Sequence, residues 1–307
     1  MQTTTEKPPV HSRNVNPLKT ISCVPFRPAA SPRFQHLDLS PVPNTLYRAY
    51  TAKSYGSTNS NVALSRDAVA RRPHAVEDVF QTCDVASTAR GIARHLKNKY
   101  LAQDNFLSWT SSLLFALQGI LYRHHAWHDG SALKDIRICV IDTTQFPSGT
   151  FIRDMDLIDA FCAESKDLAE LKDQRTRKDG TYNFNEYFGE YLSQGYLNIE
   201  NKCKVINAQD LFNRGLASLR PQFDPLDRDQ VQWVRKVEPI RNALSKCENS
   251  PWPVDPIDPN QADTALKIAE LFGVEWRLPI AINLLALLKG RLHATTIENI
   301  LIEHGFN

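Results

Sequence analysis

The chemistry of this chain centres on an isolated acid. In "FNEYFGEYLSQG", residues 184–195, Glu190 is the only carboxylate of the last six residues, with Gly189 before it and Tyr191 after it. The surrounding pattern reads as a strand ending in a turn. Two other segments carry groups that could meet it. "LYRAY" puts Arg48 on a predicted strand, and "LSWTSSLLFAL" puts Ser108 and Thr110 on one face of a strand leading into a helix. Fixed carboxylates stabilise positive charge at a reacting carbon, and guanidinium groups hold phosphate through charge-assisted hydrogen bonds.

Other constellations have plainer readings. His124 and His128 stand four apart in "YRHHAWHD" with Asp129 beside them, a metal-competent spacing, but the glutamate of a His-Glu-x-x-His site is missing. They read as a polar helix end. Asp154, Asp156 and Asp159 in "DMDLID" could bind Mg²⁺, yet no phosphate loop lies near them, and they read as a helix N-terminus complementing its dipole. Cys139 falls inside a strand and reads as a buried small hydrophobe. Arg90, Arg94, Lys97 and Lys99 form a basic helix face without the interleaved aromatics of a single-strand reader, so no nucleic-acid partner is expected.

Helices and strands must position these groups. "TLYRAY" and "DIRICVIDTTQF" carry strand signals, the second with Ile136, Ile138 and Val140 on one edge. "DVASTARGIARHLKNKY" has helical spacing with Asp84 as its cap, and Ser112 caps the apolar run from Leu113 to Leu121. Between them, residues 51–79 read as loop with one short helix. "DMDLIDAFCAES" reads as a short helix, and the charged "KDQRTRKDG" is placed in solvent. "YFGEYLSQG" and "KCKVINA" read as two strands joined by a turn at "QGYLNIEN". Strands interleaved irregularly with helices, without a Gly-rich loop, indicate an α+β fold rather than a doubly wound sheet.

Residues 1–40, rich in Pro, Thr, Ser and Arg, read as a disordered or extended arm. From about residue 221 the character changes. A helix over "WVRKVEPIRNALSKC", a Pro-rich linker "SPWPVDPIDPN" and three short helices at "ADTALKIAELFG", "LPIAINLLALLKG" and "TTIENILIEHG" indicate a small helical C-terminal domain over 221–307.

The 307 residues suffice for a sizeable core, and 36 bases against 34 acids give no field that would select a polyanion. The six cysteines are scattered without a Cys-x-x-Cys pair, unlike a disulfide scaffold or zinc site. The start lacks a signal-peptide apolar run, and "PIAINLLALL" is about half a bilayer span. A cytoplasmic protein with no membrane partner is expected.

The order Arg48, then Ser108-x-Thr110-Ser111, then Glu190 resembles the Arg–Ser–Glu signature of the ADP-ribosyltransferase fold, which uses NAD as ADP-ribose donor. The resemblance implies a split β-sheet core over 41–220 with flanking helices, and NAD as the substrate and first partner. It implies that Arg48 holds the diphosphate, that Ser108 orients Glu190 or the nicotinamide ribose, and that Thr110 supports the strand end. Trp109 and Ser111 would complete the NAD-binding segment; on a cleft wall Trp109 would stack on a ring, and its alternative reading is a core residue. Glu190 would accept from the ribose 2′-OH and stabilise the oxocarbenium-like transition state, so Glu190 and Ser108 are the expected catalytic residues. The acceptor would be a protein, a small molecule or water. Phe188 stands where the arginine-modifying branch carries a second acid, which argues against arginine as acceptor. The same segments also resemble an uncharacterised fungal domain family, which implies no activity. Two alternatives use the same residues differently: a non-catalytic interaction module, and an enzyme acting on another nucleotide or RNA-like substrate.

Overall fold

A computed structural model describes residues 23–99, 102–126, 129–183, 186–227, 233–248, 257–288 and 302. The expected helix over "TTIENILIEHG", His128, most of the Pro-rich linker and residues 1–22 of the arm lie outside the described residues.

The strands are β1 (Cys23–Val24), β2 (Thr45–Tyr50), β3 (Ser57–Thr58), β4 (Val62–Leu64), β5 (Phe106–Thr110), β6 (Arg137–Asp142), β7 (Ile152–Arg153), β8 (Glu190–Asn198) and β9 (Cys203–Asn207). They form one curled antiparallel half-barrel in the order β3-β4-β8-β5-β2-β6-β9, with β1 and β7 also paired to β8. The helices are α1 (Arg66–Val69), α2 (Val85–Leu96), α3 (Leu113–His125), α4 (Asp154–Phe161), α5 (Lys166–Arg175), α6 (Ala208–Asn213), α7 (Leu216–Leu219), α8 (Trp233–Glu248), α9 (Pro259–Glu270) and α10 (Val274–Leu285). The mixed α and β content agrees with the expected class.

Strand alternation divides the core. Tyr47 lies opposite both Thr110 and Val140, and Thr110 lies opposite Glu190. Side chains at these positions therefore share one face of the sheet with Ile138, Ser108, Phe106 and Leu192. Helix α3 covers the Tyr47–Ile138–Val140 side, through Leu117, Ile120 and Leu121. Helices α2, α4 and α5 cover the Phe106–Leu192 side, through Ile92, Ile158 and Leu168. Between the two covers the sheet face stays open, and Ser108, Thr110 and Glu190 lie there. The opposite face buries Leu46, Leu107, Trp109, Cys139 and Ile141. Cys139 is accordingly a buried strand residue.

The C-terminal helices join the first of these clusters. Val237 and Ile240 of α8 pack with α3, and Leu266, Ile280 and Leu284 of α9 and α10 continue the same core. Residues of the arm are also integrated. Val24 and Cys23 pair with β8, and Phe26 and Phe34 pack among Phe80 and Phe161.

Several expectations need correction. Residues 51–79 contain the β3–β4 hairpin as well as α1. The turn expected at "QGYLNIEN" is postponed, because β8 runs unbroken to Asn198 between partners on both edges. Gly195 permits this: its φ of +63° makes an irregularity inside the strand, where a β-carbon would lie 2.0 Å from the Ala75 carbonyl oxygen. Glu190 thus opens its strand instead of closing it. Helix α10 starts before Pro279, at Val274. Finally, Arg175 of the "solvent" insert ends α5 as a buried residue.

Candidate functional site

Ser108, Thr110 and Glu190 line a cleft of about 990 Å³ from the open face between the two helical covers; Arg48, opposite Cys139 in the register, starts on the other face of β2 and borders the same cleft. Three neighbouring strands, β2, β5 and β8, carry them. β2 and β5 meet at one register position only, Tyr47 opposite Thr110. Beyond it, the guanidinium of Arg48 takes over from a backbone amide. Its Nη1 donates to the Ser108 carbonyl at 2.7 Å and its Nε to Thr58 Oγ1 at 3.3 Å. Burial, and then the charge of Arg123, pull the Arg48 pKa down to about 10. The group stays cationic at neutral pH, in surroundings that strengthen its field.

The launch of β8 is built from small residues. Gly189 has φ +64°, and a β-carbon on it would lie 2.2 Å from Ser111 Oγ. The Ser111 amide donates to the Gly189 carbonyl at 2.9 Å, and the Thr110 hydroxyl donates to the Phe188 carbonyl at 2.8 Å. The Ser112 amide returns a bond to Thr110 Oγ1 at 3.0 Å. Thr110 and Ser111 therefore fix the turn that aims Glu190. Phe188 stacks on Phe115 at 4.7 Å, and the Arg241 guanidinium lies 4.9 Å from its ring centre.

Glu190 Oε2 is 3.1 Å from Arg175 Nη2, and its side chain keeps 20% of its exposure. Arg175 also pairs with Asp154, which is wholly buried. The expected role of the "DMDLID" acids as dipole complements is therefore incomplete. Asp154 meets Arg175, Asp156 accepts from Arg153 and from Ser40 of the arm, and Asp159 pairs with Lys172.

The sequence reading missed two residues. His95, in the last turn of α2, places Nε2 2.9 Å from Ser108 Oγ and Nδ1 2.8 Å from Asp104 Oδ2. Asp104 Oδ1 also accepts from the Phe106 amide at 3.0 Å, which fixes it at the mouth of β5. Burial pulls the His95 pKa down, but the charge and hydrogen bond of Asp104, with help from Glu190, outweigh it and raise the value above that of ordinary imidazole. Burial likewise opposes ionisation of Asp104, yet His95 and the Phe106 amide lower its pKa. Both groups line the cleft. Helical phase was the available signal: with Ile92 and Leu96 buried, His95 flanks the core stripe of α2.

Trp109 takes its core reading, and Ser111 faces away from the cleft. Trp109 alternates away from Ser108, so its ring is buried against Phe151 and its Nε1 donates to Ser193 at 2.9 Å. It reaches the cleft only beneath the Arg48 guanidinium, 6.0 Å from the ring centre, and has no exposed face for stacking. Ser111 does not line the cleft, because its hydroxyl turns to the Gly189 carbonyl. Asp129, expected beside a histidine pair, instead closes the far end of the cleft, accepting from Arg123 at 3.1 Å and from Ser131 and Thr51. His124 Nδ1 lies 2.9 Å from the Ser131 carbonyl.

Residues 41–201, just over half the chain, match the family described as a domain of unknown function, DUF7587. The chain belongs to this family. The DUF7587 region spans β2 through β8 and carries every cleft residue named above. No curated protein and no solved structure matches the chain. Among the described residues of this DUF7587 protein, no helix is long and apolar enough to cross a membrane.

Proposed function

We propose that this protein is an NAD-consuming transferase, which cleaves the nicotinamide–ribose bond and passes ADP-ribose to an acceptor or to water. One observation carries the reading: Arg48, Ser108 and Glu190, distant in sequence, share one cleft on three adjacent strands. On this reading the β2–β9 region is an ADP-ribosyltransferase-like core. Arg48 lies on an early strand, Ser108 on the next strand inward before a helix, and Glu190 on a later strand beside it.

The chemistry follows from the positions. A cleft of about 990 Å³ is at the upper end of the usual range for small-molecule and cofactor sites. Arg48 and Lys53 bring positive charge to it that suits a diphosphate, while Arg123 is paired there with Asp129. Glu190 lines the same cleft, oriented by Arg175. As the glycosidic bond lengthens, positive charge grows on the ribose, and a carboxylate held in place stabilises it without reorganising. Phe188, packed against Phe115 and Arg241, leaves no second acid beside Glu190, so a guanidinium acceptor is not favoured.

The test is nicotinamide release from NAD by the full chain and by Glu190→Gln. The wild type is expected to turn NAD over, and the variant to lose at least about 100-fold while its thermal melt stays unchanged. Retained turnover in Glu190→Gln removes this carboxylate from the mechanism. Absence of both binding heat and a thermal shift at millimolar NAD would favour a non-catalytic module.

A further inference from the structure

We propose that Ser108, His95 and Asp104 form a nucleophilic triad, giving the cleft a second activity: hydrolysis of carboxylic esters that bear a nearby negative charge. This proposal is independent of the NAD reading, because it concerns a different bond and a different reacting atom.

The geometry is that of an activated hydroxyl. His95 Nε2 is 2.9 Å from Ser108 Oγ, within reach to take its proton, and Nδ1 is 2.8 Å from the Asp104 carboxylate. An ionised carboxylate can only accept, so Nδ1 carries its hydrogen and Nε2 is left as the base when the ring is neutral. Asp104 is a positioning residue. Its second oxygen is held by the Phe106 amide, which fixes the ring and its tautomer together. The three groups come from separate pieces of backbone: the end of α2, the segment before β5, and β5 itself. Their side chains converge on the open face of the sheet, where substrate has access.

The reaction balances without a co-reactant other than water. Ser108 Oγ bonds to the ester carbonyl carbon while its proton moves to His95 Nε2. The tetrahedral intermediate collapses, the carbon–oxygen bond to the alcohol breaks, and His95 returns the proton to that oxygen. Water then repeats the sequence on the acyl-serine, releasing the acid and restoring the hydroxyl. Arg48, whose Nη1 donates to the Ser108 backbone carbonyl, adds positive charge at this residue that favours an anionic intermediate. The same guanidinium selects esters carrying an anionic group.

Around His95 lie Asp104 and Glu190, which favour its protonation, and Arg48, which opposes it. From the α5 side, Arg175 is already engaged by Glu190 and Asp154. Because the imidazole pKa is raised, the neutral base accumulates only at higher pH, and nucleophilic activity should climb through the range above ordinary histidine titration.

The experiment treats the full chain with an alkyl fluorophosphonate and maps adducts by peptide mass spectrometry, alongside hydrolysis of nitrophenyl hemisuccinate and nitrophenyl acetate. The expected result is one adduct on Ser108, forming faster as pH rises, with hemisuccinate preferred over acetate. His95→Asn should slow labelling at least about 100-fold. Asp104→Asn, which keeps an oxygen for the Phe106 amide, should also slow it. A folded wild type that gains no adduct on Ser108 at pH 9 overturns the proposal, as does equal labelling in wild type and a folded His95→Asn. If the histidine variant fails to fold, the wild-type adduct and the Asp104→Asn rate decide. Nicotinamide release plays no part in these outcomes, so either function can fail alone.

Discussion

At the scale of single residues, Arg175 is the most exposed to test. It bridges Asp154, with no solvent exposure, and Glu190, with a fifth of its side chain exposed. Removing one partner of a buried pair costs about 3–5 kcal/mol, because the remaining charge is stranded away from water. Arg175→Met should therefore lower the melting temperature by on the order of 10 °C. It should also impair NAD turnover, since Glu190 loses the group that orients it. A melt within a degree of wild type would mean that Asp154 finds its compensation elsewhere. Gly189→Ala probes the same acid from the backbone side. A side chain at φ +64° costs about 1–2 kcal/mol, and its β-carbon would displace Ser111 Oγ. The turn that aims Glu190 should shift, so turnover should fall more than stability does, as read by nicotinamide release against urea unfolding.

At the scale of elements, the His95–Asp104 pair ties the end of α2 to the start of β5, and its protons set a pH dependence. The raised His95 pKa means its contribution to stability is complete below the unfolded value of 6.5 and is lost as pH rises through the folded one. The lowered Asp104 pKa means its contribution is present above the unfolded value of 3.8 and is lost as pH falls through the folded one. The tie is thus strongest in mildly acidic solution. Urea unfolding of wild type and His95→Gln should differ most near pH 5.5 and least near pH 9; a constant difference would mean the pair is not an ion pair. This trend runs opposite to the one expected for Ser108 labelling, because the proton that stabilises the tie also silences the base. The sequence revealed the elements better than their meeting points. Asp84 and Ser112 cap α2 and α3 as their spacing predicts, and "TLYRAY" is a strand over its whole length. Local hydrogen bonds and periodicity decide such features. His95 with Asp104, and Arg175 with Asp154, depend on how α2 and α5 lie across the sheet, which no local pattern encodes. Arg175 was misplaced for a related reason: a run of charges reads as solvent-exposed unless its buried partners are known.

At the scale of the whole molecule, the family match ends at residue 201, but the packing does not. Helix α3, which walls the cleft beside Phe115 and Ala116, has its outer side against α8, and the cluster continues through α9 and α10. Arg241 of α8 donates to the Tyr187 carbonyl at 2.7 Å and lies over Phe188, two residues before the candidate catalytic acid. The C-terminal helices therefore support the site from behind. Cutting the chain after residue 227 would expose Leu117, Ile120 and their neighbours where α8 now covers them, and would remove α9 and α10 from the same cluster. Each fully buried aliphatic side chain is worth about 1.5–3 kcal/mol, so losing cover over several of them rivals the 5–15 kcal/mol that typically holds a domain together. A 23–227 fragment is expected to aggregate or bind a hydrophobic dye without a cooperative melt, whereas the full chain melts cooperatively. A soluble fragment with a sharp transition and an unchanged NAD response would show that the sheet and its first helices suffice. Loss of the melt together with the NAD response would instead place the proposed acid, Glu190, under the control of residues beyond the end of the family match at residue 201.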